Sequence, residues 1–228
     1  MSAPARLRIG ISGWRYAPWR GDFYPEGLRQ KDELRFASRA VNSIEINGTF
    51  YALQTPERFR GWAEDTPEDF VFSVKAPRYI THVRRLREID EPLANFFASG
   101  PLALRQRLVV ADTAGKWPLL GDVCADFLYL RLHGDKELYR SGYSEAALGQ
   151  WQARIRAWAG GGQTDDLRRA SQDAPATATA RDLYCYFDND VKVRAPYDAR
   201  RLLQLLELDG GLRTVPGQLP DDLRESAA

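Results

Sequence analysis

From residue 7 to residue 207, short apolar runs alternate with longer stretches in which apolar positions recur at helical spacing. That alternation is the pattern of repeated strand-helix units, which assemble into a parallel sheet. Six runs read as strands, at 7–12, 43–47, 70–75, 107–112, 127–133 and 182–189. Between and after them the pattern predicts helices over 31–40, 56–64, 84–98, 116–122, 144–159 and 197–207. Thr55-Pro56 and Ser144 with Glu145 supply the capping residues expected at two of the helix starts. The Gly160-Gly161-Gly162 run opens a stretch, 160–181, that reads as a flexible loop, and 208–228 reads as a polar C-terminal tail that frays. No internal repeat is evident at the residue level.

Period-two alternation assigns side chains to faces. Over 127–133, Leu128, Leu130 and Leu132 share one face, and Phe127, Tyr129, Arg131 and His133 the other. Over 43–47, Ile44 and Ile46 oppose Ser43, Glu45 and Asn47. Lys75 ends its run on the face of Ser73, and Asp112 ends its run opposite Val109 and Ala111. The last run ends in Asp188-Asn189-Asp190, and aromatic residues on both of its faces leave its parity open. A charge aimed into a protein interior is costly unless it is paired or solvated. These polar ends are therefore expected at a common mouth, at the C-terminal ends of the strands, where barrel proteins build their sites. The expected architecture is α/β: a TIM-type (β/α) barrel of about six parallel strands, incomplete against the usual eight, with residues 1–207 forming one domain.

Composition narrows the function classes. A chain of 228 residues, 44% hydrophobic, can bury one sizeable core without a second domain. Its 32 Lys+Arg against 31 Asp+Glu leave a net charge of +1, so no global field draws it to nucleic acid or to an anionic membrane. Anion binding must be local. The first residues lack an apolar core of the leader type, and no later run is long enough to span a bilayer, so a soluble, cytoplasmic protein is expected. Cys124 and Cys185 sit in apolar stretches with no CxxC pair or histidine cluster, which marks packing residues and gives no sign of a metal or other cofactor. The basic stretch His82-Val83-Arg84-Arg85-Leu86-Arg87 is followed at once by Glu88, Asp90 and Glu91. It therefore reads as a solvated helix face, and nucleic-acid binding, with this segment on the backbone and the aromatic residues as stacking platforms, stays open as the alternative.

Several motifs occur in order: Gly13-Trp14-Arg15-Tyr16 with Trp19 and Phe23-Tyr24-Pro25, the stretch 41–51, Phe72-Ser73-Val74-Lys75-Ala76-Pro77 with Thr81-His82, Val110-Ala111-Asp112-Thr113, 129–134 with Tyr143, and Tyr186-Phe187-Asp188-Asn189-Asp190. Taken together this series resembles the DUF72 (YecE-like, UPF0759) family, whose fold is a TIM barrel and whose activity is unassigned. The family pattern has two further strands after the helix that ends here near Gly100. In this chain 100–105 runs almost directly into the strand at 107–112. The resemblance thus implies that two strand-helix units, about 60 residues, are absent. Such a loss leaves open sheet edges, through which the chain would close into a smaller barrel, pair as a homodimer or aggregate.

The expected ligand is a small anionic or hydroxyl-rich molecule, sugar-phosphate-like, at the mouth. Glu45, Lys75, Asp112 and His133 are the candidate catalytic residues. Trp14, Tyr16, Asn47, Tyr51, His82, Tyr129, Arg131 and Asn189 are the candidate ligand-binding residues. Other readings remain open. Glu45, Asp112 and His133 suit metal-assisted phosphoester hydrolysis, and Glu45, Lys75, Asp112 and Arg131 suit a structural ion-pair network. The aromatic stretch from Trp14 to Tyr24 suits either a cover for the mouth or packing of the first loop, and the shortened chain suits a non-catalytic assembly partner.

Overall fold

The computed structural model describes residues 4–104, 127–136, 141–167, 180–190 and 193–224. Strands β1 (Leu7–Ser12), β2 (Ser43–Ile46), β3 (Val71–Val74), β4 (Phe127–Leu132) and β5 (Asp182–Phe187) form one sheet. Its order is β3-β2-β1-β5-β4, and every pairing is parallel. The helices are α1 (Glu33–Ala37), α2 (Gly48–Tyr51), α3 (Pro56–Asp65), α4 (Asp90–Ala98), α5 (Glu145–Ala159) and α6 (Arg194–Leu205). Parallel strands cannot be joined by a tight turn, so each needs a crossover, and the helices supply it.

The two faces of the sheet differ as alternation predicts. Ile9, Ile11, Ile44, Ile46, Val74, Leu183, Cys185 and Phe187 are buried on one face. They share a core with Leu34 and Phe36 of α1, Ile155 and Trp158 of α5, and Leu202 and Leu203 of α6. The other face carries Gly10, Ser12, Ser43, Glu45, Ser73, Tyr129, Arg131 and Tyr186. Strong curvature of the sheet is evident there, because β3 and β4 lie at opposite ends of the strand order while Ser73 Oγ and Tyr129 OH are 3.1 Å apart. The sheet therefore wraps most of the way round a barrel, and side chains meet across the interior. Gly10 permits that curvature: a Cβ there would fall 1.8 Å from the Ser43 carbonyl oxygen on β2.

The expected strand at 107–112, the helix at 116–122 and Cys124 lie outside the described residues, as does most of the loop at 160–181. The helix expected over 84–98 starts only at Asp90. Arg85, Leu86 and Glu88 adopt left-handed backbone conformations with φ of 49°, 62° and 47°, and Leu86 is exposed. With no apolar stripe over 84–88 to bury, nothing holds that segment in a helix. The C-terminal segment departs from a frayed tail. Leu208 and Leu212 pack on the core, Thr214 Oγ1 donates to the Phe36 carbonyl at 3.1 Å, and Arg200 Nη1 donates to the Thr214 carbonyl at 2.9 Å. Among the described residues no helix is long and apolar enough to cross a membrane.

The aromatic stretch after β1 divides. Trp19, Phe23 and Tyr24 are buried, with Phe23 edge-on to both Trp19 and Phe36 at 5.5 Å between ring centroids. These three rings anchor the first loop to the core. Trp14 and Tyr16 lie closer to the strand ends.

Candidate functional site

The parallel register places Ser12 beside Glu45 and Arg131 beside Tyr186. Side chains from four strands thereby converge at one end of the sheet. Glu45 is fully buried. Its Oε2 accepts the Ser12 hydroxyl proton, its Oε1 accepts the Tyr129 hydroxyl at 2.5 Å, and Arg131 Nη2 lies 3.1 Å from Oε2. Arg131 Nη2 also donates to Ser12 Oγ at 3.0 Å and to Asp188 Oδ2 at 2.8 Å. Asp188 Oδ2 in turn lies 3.1 Å from His133 Nδ1. The result is a chain of charge running Glu45, Arg131, Asp188, His133 from the closed interior to the mouth. Arg131 is 8% exposed, whereas Asp188 and His133 are 15% and 14% exposed.

Hydrogen-bond accounting orients the neighbours. Ser12 spends its one proton on Glu45, so its lone pairs accept from Arg131 and from Asn47 Nδ2 at 2.9 Å. The Asn47 amide must therefore present nitrogen to Ser12, and its Oδ1 has no hydrogen-bond partner among the described residues. Tyr16 OH donates to the Ser12 carbonyl at 2.6 Å. Behind the cluster, Tyr186 OH and Ser43 Oγ are 2.7 Å apart, and the Tyr129 and Tyr186 rings pack at 5.3 Å.

Burial, and then the negative charge of Glu45, push the Tyr129 hydroxyl far above the usual phenol range. Burial raises Tyr186 as well. Tyr16 is raised by burial and then by Asp190 and Asp188. All three hydroxyls thus stay protonated as donors. The Asp190 carboxyl lies above its ordinary value because burial and neighbouring Asp188 both oppose its charge.

Of the residues expected from sequence, Glu45, Arg131, His133 and Tyr129 meet in this cluster, with Tyr16 and Asn47 bonded to its edge. Lys75 follows β3 with its Nζ 4.7 Å from the Phe50 ring centroid. His82 packs edge-on against the same ring at 5.2 Å, and Tyr51 at 5.1 Å. These three gather round Phe50, and Tyr51 projects outward, 80% exposed. Asn189 turns away from the mouth: its Nδ2 donates to Asp198 Oδ2 on α6 at 2.8 Å and to the Ser141 carbonyl at 2.9 Å. Asp112 lies outside the described residues, and with it the proposed metal ligand set. Among the described residues no group of three or more His, Cys, Asp and Glu is placed to hold a metal ion.

Two cluster members, Ser12 and Asp188, were not among the expected site residues. Parity applied to β1 reaches Ser12, whereas Asp188 follows only once the structure has set Tyr186 on the inner face. Ile9 and Ile11 put Ser12 on the polar face of β1, and Tyr186 puts Asp188 on the inner face of β5, two residues on.

Beside the cluster lies an open cleft of about 590 Å³, lined by Trp14, Arg15, Tyr16, Asn47, Arg58 and Trp62 among others. Trp14 meets Trp62 edge to face at 5.4 Å. Asn47 and Tyr16 therefore belong to both the cleft wall and the hydrogen-bond network of Ser12.

The family model described as "Protein of unknown function DUF72" matches residues 8–108 and 102–221. The two matched segments meet at the point where strand-helix units are expected to be absent. The UPF0759 protein YecE of Escherichia coli (strain K12) is 35% identical over 100 residues, covering 43% of this chain and 34% of that protein. The UPF0759 protein YunF of Bacillus subtilis (strain 168) is 32% identical over 82 residues, covering 35% of this chain and 27% of that protein. The matched stretches thus span about a third of these relatives or less. The crystal structure of a DUF72 family protein from Thermotoga maritima superimposes with a TM-score of 0.62 at 19% identity, covering 89% of this chain and 99% of that one. One from Enterococcus faecalis V583 gives 0.57 at 12% identity, covering 90% and 98%. At such identities the structural likeness speaks for the fold alone.

Proposed function

The chain belongs to the DUF72 family of proteins of unknown function, and from that premise we propose that its strand-end cluster binds a small polyhydroxylated or anionic molecule, sugar-phosphate-like, and moves a proton through His133. The observation that carries this reading is the 3.1 Å contact between His133 Nδ1 and Asp188 Oδ2 at the mouth. The negative charge of Asp188 this close to Nδ1 favours the tautomer that carries its proton there, which makes Nε2 the basic nitrogen, and it stabilises the imidazolium formed when Nε2 accepts a proton. Arg131 fixes the far side of the same carboxylate oxygen at 2.8 Å, so the dyad is held in place before any ligand arrives.

The roles divide by depth. Glu45 is sealed beneath Ser12, Tyr129 and Arg131, so it positions Arg131 and does not meet the ligand. Lys75, beside the mouth on Phe50, supplies a cation for an anionic substituent. Proton transfer to Nε2 from a ligand hydroxyl would leave an alkoxide, and from a carbon beside a carbonyl an enediolate; the neighbouring donors must stabilise either anion, and this is the chemistry that sugar-phosphate conversions require.

The test is a thermal-shift screen of sugar phosphates and polyols on the full chain, repeated on His133→Ala and Lys75→Ala. A binding compound raises the parent's Tm by mass action, and the variants lose that shift. If nothing in the panel stabilises the parent, or if both variants respond as the parent does, the reading fails.

A further inference from the structure

The geometry points to the cleft beside the cluster as a binding site for a phosphate monoester that carries one planar ring. This goes beyond the reading of the mouth and does not depend on any proton chemistry at His133.

The volume of about 590 Å³ falls within the range of roughly 300–1,000 Å³ in which small-molecule sites occur. Its charge is unlike that of the whole chain. Among the described residues, Arg15, Lys31 and Arg58 line the cleft against one carboxylate, Asp65, in a protein whose net charge is +1. Burial and neighbouring Asp32 raise the Asp65 carboxyl, which weakens the one lining charge that would oppose an anion. Arg58 Nη1 is tied to Gln54 Oε1 at 2.7 Å on the same wall, so one guanidinium is already positioned. Two guanidinium groups and an ammonium exceed what a lone carboxylate ligand needs and suit a dianionic phosphate, which accepts several charged donors at once.

Three rings stand among the glycines and polar residues of the remaining wall, with Trp14 7% exposed and Tyr16 and Trp62 half-buried. Trp14, Tyr16 and Trp62 line the cleft, and aromatic walls take flat rings by stacking and edge contacts. Cations on the rim and rings in the wall together select a molecule that is planar at one end and doubly charged at the other. A free phosphate would use only the rim, and an uncharged ring only the wall.

Titration calorimetry of the full chain with adenosine 5'-monophosphate, adenosine, ribose 5-phosphate and inorganic phosphate tests this. The nucleotide should bind at least about tenfold more tightly than adenosine or inorganic phosphate, since each lacks one half of the recognition. The double variant Arg15→Ala/Arg58→Ala, at exposed positions that leave the core intact, should weaken the nucleotide about tenfold or more. Trp62→Ala should weaken the nucleotide more than ribose 5-phosphate. Nucleotide binding lost in Arg15→Ala/Arg58→Ala belongs to the cleft, whereas nucleotide binding lost only in Lys75→Ala belongs to the mouth and would overturn the proposal, so a failure of the proton-transfer reading and a failure of this site give different results. Equal affinity for inorganic phosphate and nucleotide, equal binding by parent and double variant, or no nucleotide binding would each overturn the proposal.

Discussion

At the scale of single residues, the most consequential group is Arg131, because Glu45 beneath it is fully buried and Arg131 Nη2 lies 3.1 Å from its Oε2. Removing one partner of a buried ion pair leaves a charge stranded in low dielectric. Arg131→Ala should therefore lower the unfolding free energy by about 3–5 kcal/mol, read from denaturant midpoints. Adding Glu45→Gln to that variant should recover part of the loss, since the stranded charge is then gone. Asp190 carries a prediction of opposite sense. Its folded pKa lies above the ordinary 3.8, from burial and then Asp188. A raised carboxyl favours the folded state fully below the unfolded pKa, and that contribution is lost as pH rises through the folded value. Asp190→Asn should thus raise Tm relative to the parent near neutral pH, and the gain should shrink as the solution is acidified below the ordinary carboxylate range. Alternation placed Glu45, Arg131 and His133 correctly on one face. It left Asp188 and Asn189 undecided, because which of two adjacent polar residues turns inward depends on where β5 ends and on the Asp198 that receives Asn189.

At the scale of elements, the five described strands and the helices α3, α5 and α6 were legible because burial on one face writes a clear period into the chain. The start of α4 was not, since the charged stretch before it satisfies helix propensity without offering any surface to bury. The packed C-terminal segment was hidden for the opposite reason: its few apolar residues, Leu208, Leu212 and Leu223, are too sparse to show a period, yet each finds cover. Gly10 is the element-scale weak point. A methyl group there would collide with backbone, which cannot rotate away, so the strands must separate or the curvature relax. Gly10→Ala should cost at least about 3 kcal/mol or abolish cooperative unfolding, measured by chemical denaturation. A neutral result would mean that β1 and β2 approach less closely than described.

For the whole molecule, five described strands curl far enough for Tyr129 to reach Ser73 and Glu45 across the interior. The incomplete TIM-type barrel thus still assembles its mouth. The two-segment family match fits this picture, with the sequence on each side of the break supplying part of one cluster: Ser12 and Glu45 before it, Arg131, His133 and Asp188 after it. What sequence could not supply was the cross-barrel contact itself, since no local pattern tells how tightly the sheet of an incomplete barrel will curve. The central claim is that these halves build a charge chain that orients His133. Nitrogen-15 NMR of the imidazoles reads it directly, because the chain has only His82 and His133 and His82→Gln assigns the signals. When neutral, His133 should carry its proton on Nδ1 in the parent and lose that preference in Asp188→Asn and in Arg131→Ala. A His133 that holds its proton on Nε2 in the parent, or whose signals are indifferent to both substitutions, would contradict the account.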